Sequence, residues 1–268
     1  MKIQKVIFSC DLNPHYVGFW NSISKHFDEF LGMESQLICI GDPKASGFSD
    51  SHGEIKVVKK LENYAPILQA LWAKFYYTRE EPNTSWMIGD LDLYPLQKKW
   101  FKDNIKKYDE NSYLHLNNDA YGKPWDQDTD ISQGIAGYYH VAKGSTFQRA
   151  YNFRDTFEED VKFIAEAKKY GIQFHQNVGH TFAFEANPST WGWYCAEEHY
   201  TKDLLLQNKI KVENVSTIDS SSRICRSKNC EYDPGRVARH EYVDMHSLRP
   251  YEKFELEIEK VLSICRNS

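Results

Sequence analysis

Residues 86–95, which read Trp-Met-Ile-Gly-Asp-Leu-Asp-Leu-Tyr-Pro, decide how the rest of the chain is interpreted. The stretch begins as a short apolar run ended by a proline, so we predict a core strand that stops abruptly. If the backbone stays extended, Asp90 and Asp92 point to one face, because side chains of a strand alternate. Two neighbouring carboxylates repel each other unless a cation neutralises them. The motif therefore predicts a site for Mn²⁺ or Mg²⁺ beside substrate phosphates.

The same two acids have an alternative interpretation, because aspartate also closes turns and caps helices through hydrogen bonds to the backbone. Their surroundings in the sequence must therefore decide between a metal site and a turn.

Composition favours a small-molecule partner. The chain has 268 residues, and its net charge of −5 argues against nucleic acid or an anionic membrane surface as partner. No apolar run approaches the roughly 20 residues that cross a bilayer. Six scattered cysteines fit a reducing compartment. We expect a soluble cytoplasmic protein, either free or peripheral to a membrane.

Strand and helix patterns alternate along the chain. This alternation implies βαβ units and a mostly parallel sheet flanked by helices, in which ligands gather at the carboxyl ends of the strands. We predict a single α/β domain with a nucleotide-binding half (1–116), an acceptor half (117–210) and a closing tail (211–268). Strands are predicted at 6–10, 36–40, 54–58, 86–92, 112–116 and 134–144, and helices at 19–31, 65–77, 96–108, 156–170, 196–207 and 251–265.

Three tryptophans and two acids predict an acceptor site. Trp125 lies in a long polar stretch, and Trp191 and Trp193 precede Glu197 and Glu198 at the start of a predicted helix. Indole rings suit packing against a sugar, and one acid would deprotonate the acceptor hydroxyl, with Glu198 favoured. The alternatives are an ordinary ordered loop and first-turn acids that suit the helix dipole.

Taken together, these motifs resemble the GT-A-type glycosyltransferases, nucleotide-sugar-dependent enzymes built on a Rossmann-like sheet. The resemblance runs through residues 8–11, 90–92, 134–143, 197–198 and 244–246. It implies that Asp90 and Asp92 bind a metal ion that bridges the donor diphosphate, and that His246 completes the metal site. The implied partners are a UDP- or GDP-type sugar donor and a glycan or other hydroxyl acceptor.

The resemblance also implies where the donor binds. The loop after the first strand would hold the nucleotide through Ser9, Cys10 and Asp11, and a basic residue on the helix before the motif, Lys74 or Arg79, would contact the donor. The tail between residues 218 and 240 is rich in serine and arginine. We predict a mobile lid there. Phosphate contacts are expected from Arg223, Arg226 and Arg249.

Three other interpretations remain open at this point. A sugar nucleotidylyltransferase would use similar acids, but residues 11–15 lack its glycine-rich basic loop. A non-catalytic sugar-binding protein would use the tryptophans alone. A structural zinc site would join Cys225, Cys230, His240 and His246, although their spacing misses the usual pattern. Whether transfer inverts or retains configuration is also left open.

Overall fold

The computed structural model describes residues 1–116, 135–166, 196–215 and 220–268. The predicted acceptor residues Trp125, Trp191 and Trp193 lie outside the described residues. Within the described ranges, no helix is both long and apolar enough to cross a membrane.

In the first half of the chain, strands occur along the sequence in the order that was predicted. They are β1 (Lys5–Cys10), β2 (Glu34–Ile40), β3 (Glu54–Val58), β4 (Ser85–Ile88), β5 (Leu93–Pro95), β6 (Tyr113–His115), β7 (His140–Lys143), β8 (Val212–Asn214), β9 (Arg223–Cys225) and β10 (Asp244–His246).

The helices lie between these strands. They are α1 (Phe19–His26), α2 (Pro66–Tyr76), α3 (Lys98–Asp103), α4 (Gly144–Tyr151), α5 (Phe157–Glu166), α6 (Ala196–Gln207), α7 (Pro234–Ala238) and α8 (Tyr251–Asn267). A π-helical turn, Phe27–Leu31, extends α1, and Gly32 ends it with φ of 60°, a left-handed conformation that glycine adopts without strain.

The central sheet has seven strands in the order β3-β2-β1-β4-β7-β6-β8. The pairings from β3 through β4 are parallel, β7 is antiparallel to both β4 and β6, and β6 pairs with β8 in parallel. The predicted α/β architecture, a mostly parallel sheet flanked by helices, is confirmed.

The core forms one apolar layer on each face of this sheet. Alternation along β1 sends Val6 and Phe8 to the layer that contains α1 and α8, and Ile7 to the layer that contains α2 and α4. Burial on both faces explains why the central strands β1 and β4 read as continuous apolar runs rather than as alternating patterns.

A second, three-stranded sheet was not predicted. Its order is β5-β10-β9, with β10 antiparallel to β5 and parallel to β9. Each strand has three residues, which is too short to leave a readable period in the sequence. This sheet matters for function because it places the tail of the chain beside the segment that follows Asp92.

Two predicted conformations are wrong. The backbone is not extended through the acidic motif: β4 ends at Ile88, and the Leu93 amide donates to the Asp90 carbonyl at 3.1 Å across a turn. The predicted strand over 134–144 is shorter, since β7 begins at His140 after Tyr139 adopts φ of 60°. Gly144 already starts α4, where a Cβ atom would lie 2.3 Å from the Thr78 carbonyl oxygen.

Candidate active site

The candidate site lies where β1 and β4, which pair in parallel, end at the same edge of the central sheet. Asp11 follows β1, and the motif Asp90-Leu91-Asp92 follows β4. The second sheet adds β10, whose His246 pairs with Leu93. Strand pairing therefore brings residues from the start, the middle and the end of the chain to one edge.

Asp92 is the centre of a cluster of cationic groups. Its Oδ2 atom accepts hydrogen bonds from Arg226 Nη1 at 2.5 Å and Arg249 Nε at 2.6 Å, and His246 Nε2 lies 3.3 Å away. Its carbonyl oxygen accepts from the backbone amide of Ser247 at 2.9 Å. The side chain is 2% exposed, and all four of these contacts come from the tail of the chain.

These contacts set the protonation of both partners. Burial alone would raise the pKa of Asp92, but the Arg249 guanidinium and the His246 imidazole outweigh it and hold that pKa well below its usual range. Burial likewise opposes the charged form of His246, yet the Asp92 carboxylate raises the pKa of His246 to about 10. His246 is therefore a cation at neutral pH, and Asp92 faces three positive groups.

Asp90 has a different partner. Lys74 on α2 donates from Nζ to Asp90 Oδ1 at 2.5 Å, and the lysine side chain is 3% exposed while that of Asp90 is 34% exposed. Burial would lower the pKa of Lys74, but the carboxylates of Asp90 and Glu197 outweigh it and raise the pKa. Of the two basic residues predicted to contact the donor, Lys74 lies at the acidic motif, and its donor contact stays a prediction. Arg79 instead binds the carbonyl oxygen of Arg154.

Glu197 lies at the start of α6, beside this ion pair. Its side chain is buried, and a Cβ atom on Gly137 would lie 2.8 Å from Glu197 Oε1, so glycine permits this close packing. Glu197 Oε2 has no hydrogen-bond partner within the described ranges. Burial, with the Glu198 carboxylate, raises the pKa of Glu197 well above its usual value. Glu198 is more exposed than Glu197.

A second buried ion pair supports the cationic side of the site. Arg223 donates to both oxygens of Asp244, from Nε at 2.6 Å and from Nη2 at 2.5 Å, and the Tyr139 hydroxyl donates to Asp244 Oδ2 at 3.0 Å. Arg223 Nη1 also donates to the Tyr138 hydroxyl at 3.1 Å. Asp244 and the two tyrosines were not predicted as site residues, because strand pairing, not a local motif, brings them here.

The residues predicted to hold the nucleotide lie at the end of β1, and two of them have structural contacts. Ser9 Oγ donates to the carbonyl oxygen of Ala70 on α2 at 2.5 Å, and Cys10 is buried. The Asp11 carboxylate accepts from the Asn13 amide at 3.2 Å, and burial raises its pKa. Ser9 and Asp11 are both partly exposed, and each already has a hydrogen bond within the fold. Their contact with a nucleotide stays a prediction.

The zinc interpretation of the tail does not hold in the structure. The Nδ1 atom of His240 lies 3.0 Å from the Leu96 carbonyl oxygen and 3.8 Å from Cys265 Sγ, whereas Cys230 Sγ donates to the His246 carbonyl oxygen at 3.5 Å. In the part of the chain that the structure describes, no three His, Cys, Asp or Glu side chains form a ready metal cluster.

Asp92 and His246 nevertheless fit a single divalent ion as two of its ligands, provided that the ion displaces the proton of His246, because only the neutral imidazole binds a metal. Ligands in adjacent positions of an octahedral ion, with bonds of about 2.1 Å, lie about 3 Å apart. The Asp92 Oδ2 to His246 Nε2 separation of 3.3 Å meets this condition. The predicted metal residues therefore contribute one close pair, Asp92 with His246, while Asp90 contacts Lys74.

No protein-family model matches the chain, and no curated protein sequence matches it. Its structure is similar to solved glycosyltransferases. One is GlyE of Streptococcus pneumoniae TIGR4, with 12% identity, 99% of this chain and 62% of that chain covered, and a TM-score of 0.49. Another is the galactosyltransferase LgtC, solved with donor and acceptor sugar analogues, with 10% identity, 98% and 95% covered, and a TM-score of 0.46.

A third similar structure is a glycosyltransferase involved in glycosylation of the major capsid of PBCV-1, with 10% identity, 96% and 99% of the two chains covered, and a TM-score of 0.46. The chain thus spans about three fifths of GlyE and nearly all of the other two proteins.

Proposed function

We propose that this chain is a glycosyltransferase that moves a sugar from a nucleoside diphosphate sugar, of UDP or GDP type, to a hydroxyl of a glycan or other acceptor. One observation carries the proposal: Arg226, Arg249 and His246 converge on the single carboxylate of Asp92 at the carboxyl edge of the sheet. The three cationic groups outnumber the one carboxylate on which they converge, which makes this edge of the sheet positively charged. A diphosphate group carries the complementary charge.

The two arginines are suited to the leaving group. A guanidinium binds phosphate oxygens through a planar fork of N–H donors, and such charge-assisted hydrogen bonds are about twice as strong as neutral ones. Arg226 and Arg249 both direct N–H groups to the same carboxylate oxygen. In the proposed complex, the diphosphate takes over these donors and frees Asp92 for a metal ion.

Asp92 and His246, with Asp90 nearby, would hold that ion. A ligand set that combines a carboxylate with an imidazole suits a first-row transition-metal ion such as Mn²⁺ better than Mg²⁺, because Mg²⁺ prefers oxygen ligands. When bound, the ion would act as a Lewis acid that stabilises charge on the departing diphosphate. Lys74 would keep the half-buried Asp90 oriented toward the donor.

Glu198 is the proposed general base. A sugar hydroxyl attacks efficiently when a positioned carboxylate accepts its proton. The two acids at the start of α6 differ in burial: Glu197 packs against Gly137, and Glu198 is more exposed. Because neighbouring residues of a helix diverge by about 100° in direction, one of the two faces the cleft at most. We assign the catalytic role to Glu198 and a packing role to Glu197.

The function is tested by incubating the protein with a panel of UDP and GDP sugars and Mn²⁺, and by separating the nucleotide products. A glycosyltransferase releases the nucleoside diphosphate, by slow hydrolysis when no acceptor is present. A nucleotidylyltransferase instead consumes a nucleoside triphosphate and a sugar phosphate and releases pyrophosphate, so parallel reactions with these substrates separate the two activities. Binding of nucleotide sugars without turnover of any would favour a non-catalytic sugar-binding protein.

A further inference from the structure

A cavity lies between α8 and the segment from 229 to 232, outside the candidate active site. Its volume is about 350 Å³, which is within the range of small-molecule sites. Met245 lines it, and because side chains alternate along β10, Met245 points to the face opposite that of Asp244 and His246. The cavity is therefore separated from the Asp92 cluster by one strand.

The interior of this cavity is apolar. Its walls are formed by Met245 and Leu248 on one side and by Phe254, Ile258 and Val261 of α8 on the other. Met245, Ile258 and Val261 are buried, whereas Leu248 and Phe254 are partly exposed. A ligand that fills the cavity would remove this remaining apolar surface from water, which favours binding.

The charged groups of the cavity are all of one sign. Within the described ranges, its lining contains two ionisable carboxyl side chains, Glu231 and Glu257, both exposed, and no Lys or Arg. Tyr232 and Phe254 add two aromatic rings, whose faces attract cations. Lys253 does not line the cavity, and its ammonium group lies 5.1 Å from the centre of the Phe254 ring.

We propose that this cavity binds a small organic cation with an apolar body, such as an alkyl or aryl ammonium compound. The apolar walls take the body of the ligand, and Glu231 and Glu257 attract its charged head at the rim. The proposal does not depend on the glycosyltransferase assignment, because it concerns the opposite face of β10 and is tested by binding.

The test follows the methyl signals of the protein's four methionines by NMR during titration with hexyltrimethylammonium. A Met245→Leu variant assigns the signal of Met245. We expect that signal to shift and to saturate, and the cation to bind at least tenfold more tightly than hexanol, with hexanoate the weakest. For the double variant Glu231→Gln/Glu257→Gln, the affinities for the cation and for hexanol should lie within about twofold of each other.

The matched control is Glu252→Gln/Glu255→Gln, which removes the same charge from exposed positions of α8 outside the lining. This control should keep the preference for the cation. The proposal is overturned if hexanol binds as tightly as the cation, if the Met245 signal does not move, or if both double variants weaken cation binding equally. A Leu248→Trp variant, which fills the cavity, should abolish binding of all three probes without lowering the melting temperature.

Discussion

His246 Nε2 lies 3.3 Å from Asp92 Oδ2, although the two residues come from the tail and the middle of the chain. The contact exists because β10 pairs with β5, the strand that follows the acidic motif. The buried carboxylate also meets Arg226 and Arg249, so its role in the fold and its proposed role in the site cannot be separated by one substitution. The first prediction follows from this double role.

Asp92→Ala should destabilise the fold as well as abolish turnover. The substitution leaves three partly exposed cationic groups around an uncharged position. Breaking a fully buried ion pair costs about 3–5 kcal/mol, and we expect a loss below that range. Urea unfolding followed by circular dichroism measures the loss. The control, Asp50→Ala, removes an exposed carboxylate and should change stability by about 0.5 kcal/mol or less. Equal midpoints for the two variants would show that the cluster does not stabilise the fold.

Asp90→Asn should affect the site more than the fold. Asp90 is partly exposed, and asparagine keeps an oxygen that can accept from Lys74, but the buried Lys74 ammonium loses its carboxylate partner. The melting temperature should therefore fall, though less than in Asp92→Ala. Binding of a nucleoside diphosphate with Mn²⁺ should weaken about tenfold, because a charged ligand or a charge near the ion is lost. Calorimetry on this variant and on Asp50→Asn makes the comparison. Unchanged affinity in Asp90→Asn would remove Asp90 from the metal site.

The two adjacent acids of α6 should respond differently to substitution. Glu198→Gln should retain donor binding and lose transfer by roughly 10²-fold or more, as removal of a general base commonly does. Glu197→Gln should transfer sugar at a rate close to that of the wild type, because burial already favours the uncharged form of Glu197. Steady-state transfer rates and donor affinity are measured for both variants. Normal transfer by Glu198→Gln would place the base elsewhere or indicate a retaining reaction.

The free energy of unfolding should fall as the pH drops below about 6.5, because several imidazoles are buried. A buried imidazole stays neutral in this pH range, whereas the same group in the unfolded chain binds a proton. Burial lowers the pKa of His26 and of His115 to about 4, and lowers that of His140 well below its usual value. These folded-state pKa values lie below the unfolded value, so the unfolded state binds more protons between pH 6.5 and 4. Each stabilising contribution is complete above pH 6.5 and is lost as the pH falls toward 4.

The size of this effect can be measured at one site. Between pH 6.5 and 4.5, His26 should account for roughly 2–3 kcal/mol. In His26→Gln, the glutamine amide can still donate to the Pro95 carbonyl oxygen, which His26 Nε2 contacts at 2.6 Å. This variant should show a shallower loss of stability with falling pH in urea unfolding experiments, whereas the exposed control His15→Gln should match the wild type. Identical pH profiles for His26→Gln and the wild type would contradict the assignment.

The sequence predicted secondary structure best where a single helix or strand produces the residue pattern. Short segments such as the strand at 54–58 and the helix at 196–207 matched the structure, because the type of element that such a segment forms depends largely on its local sequence. The extended conformation predicted for the acidic motif was wrong, since a turn after Ile88 replaces the extended backbone that the alternation argument needs. The local pattern of apolar and polar residues does not show where a strand ends and a turn begins.

The composition of the site was predicted in part. Asp92 and His246, which were predicted to share a metal ion, lie together, and Arg226 and Arg249, which were predicted to contact phosphate, both lie beside Asp92. The metal and phosphate roles themselves stay predictions. The pairing of Arg223 with Asp244 depends on β9 and β10, whose three residues each leave no period to detect. Long-range pairing of short strands is the information that a single sequence does not display.

The central claim is that Asp92 and His246 bind a divalent ion that holds a nucleoside diphosphate against the two arginines. Calorimetric titration of UDP and GDP into the protein, with Mn²⁺ or with EDTA, tests it most directly, with His246→Gln as the paired variant. We predict that one nucleotide binds at least tenfold more tightly with Mn²⁺ than with EDTA, and that His246→Gln loses most of this difference. Equal affinity with Mn²⁺ and with EDTA in the wild-type protein would contradict the account.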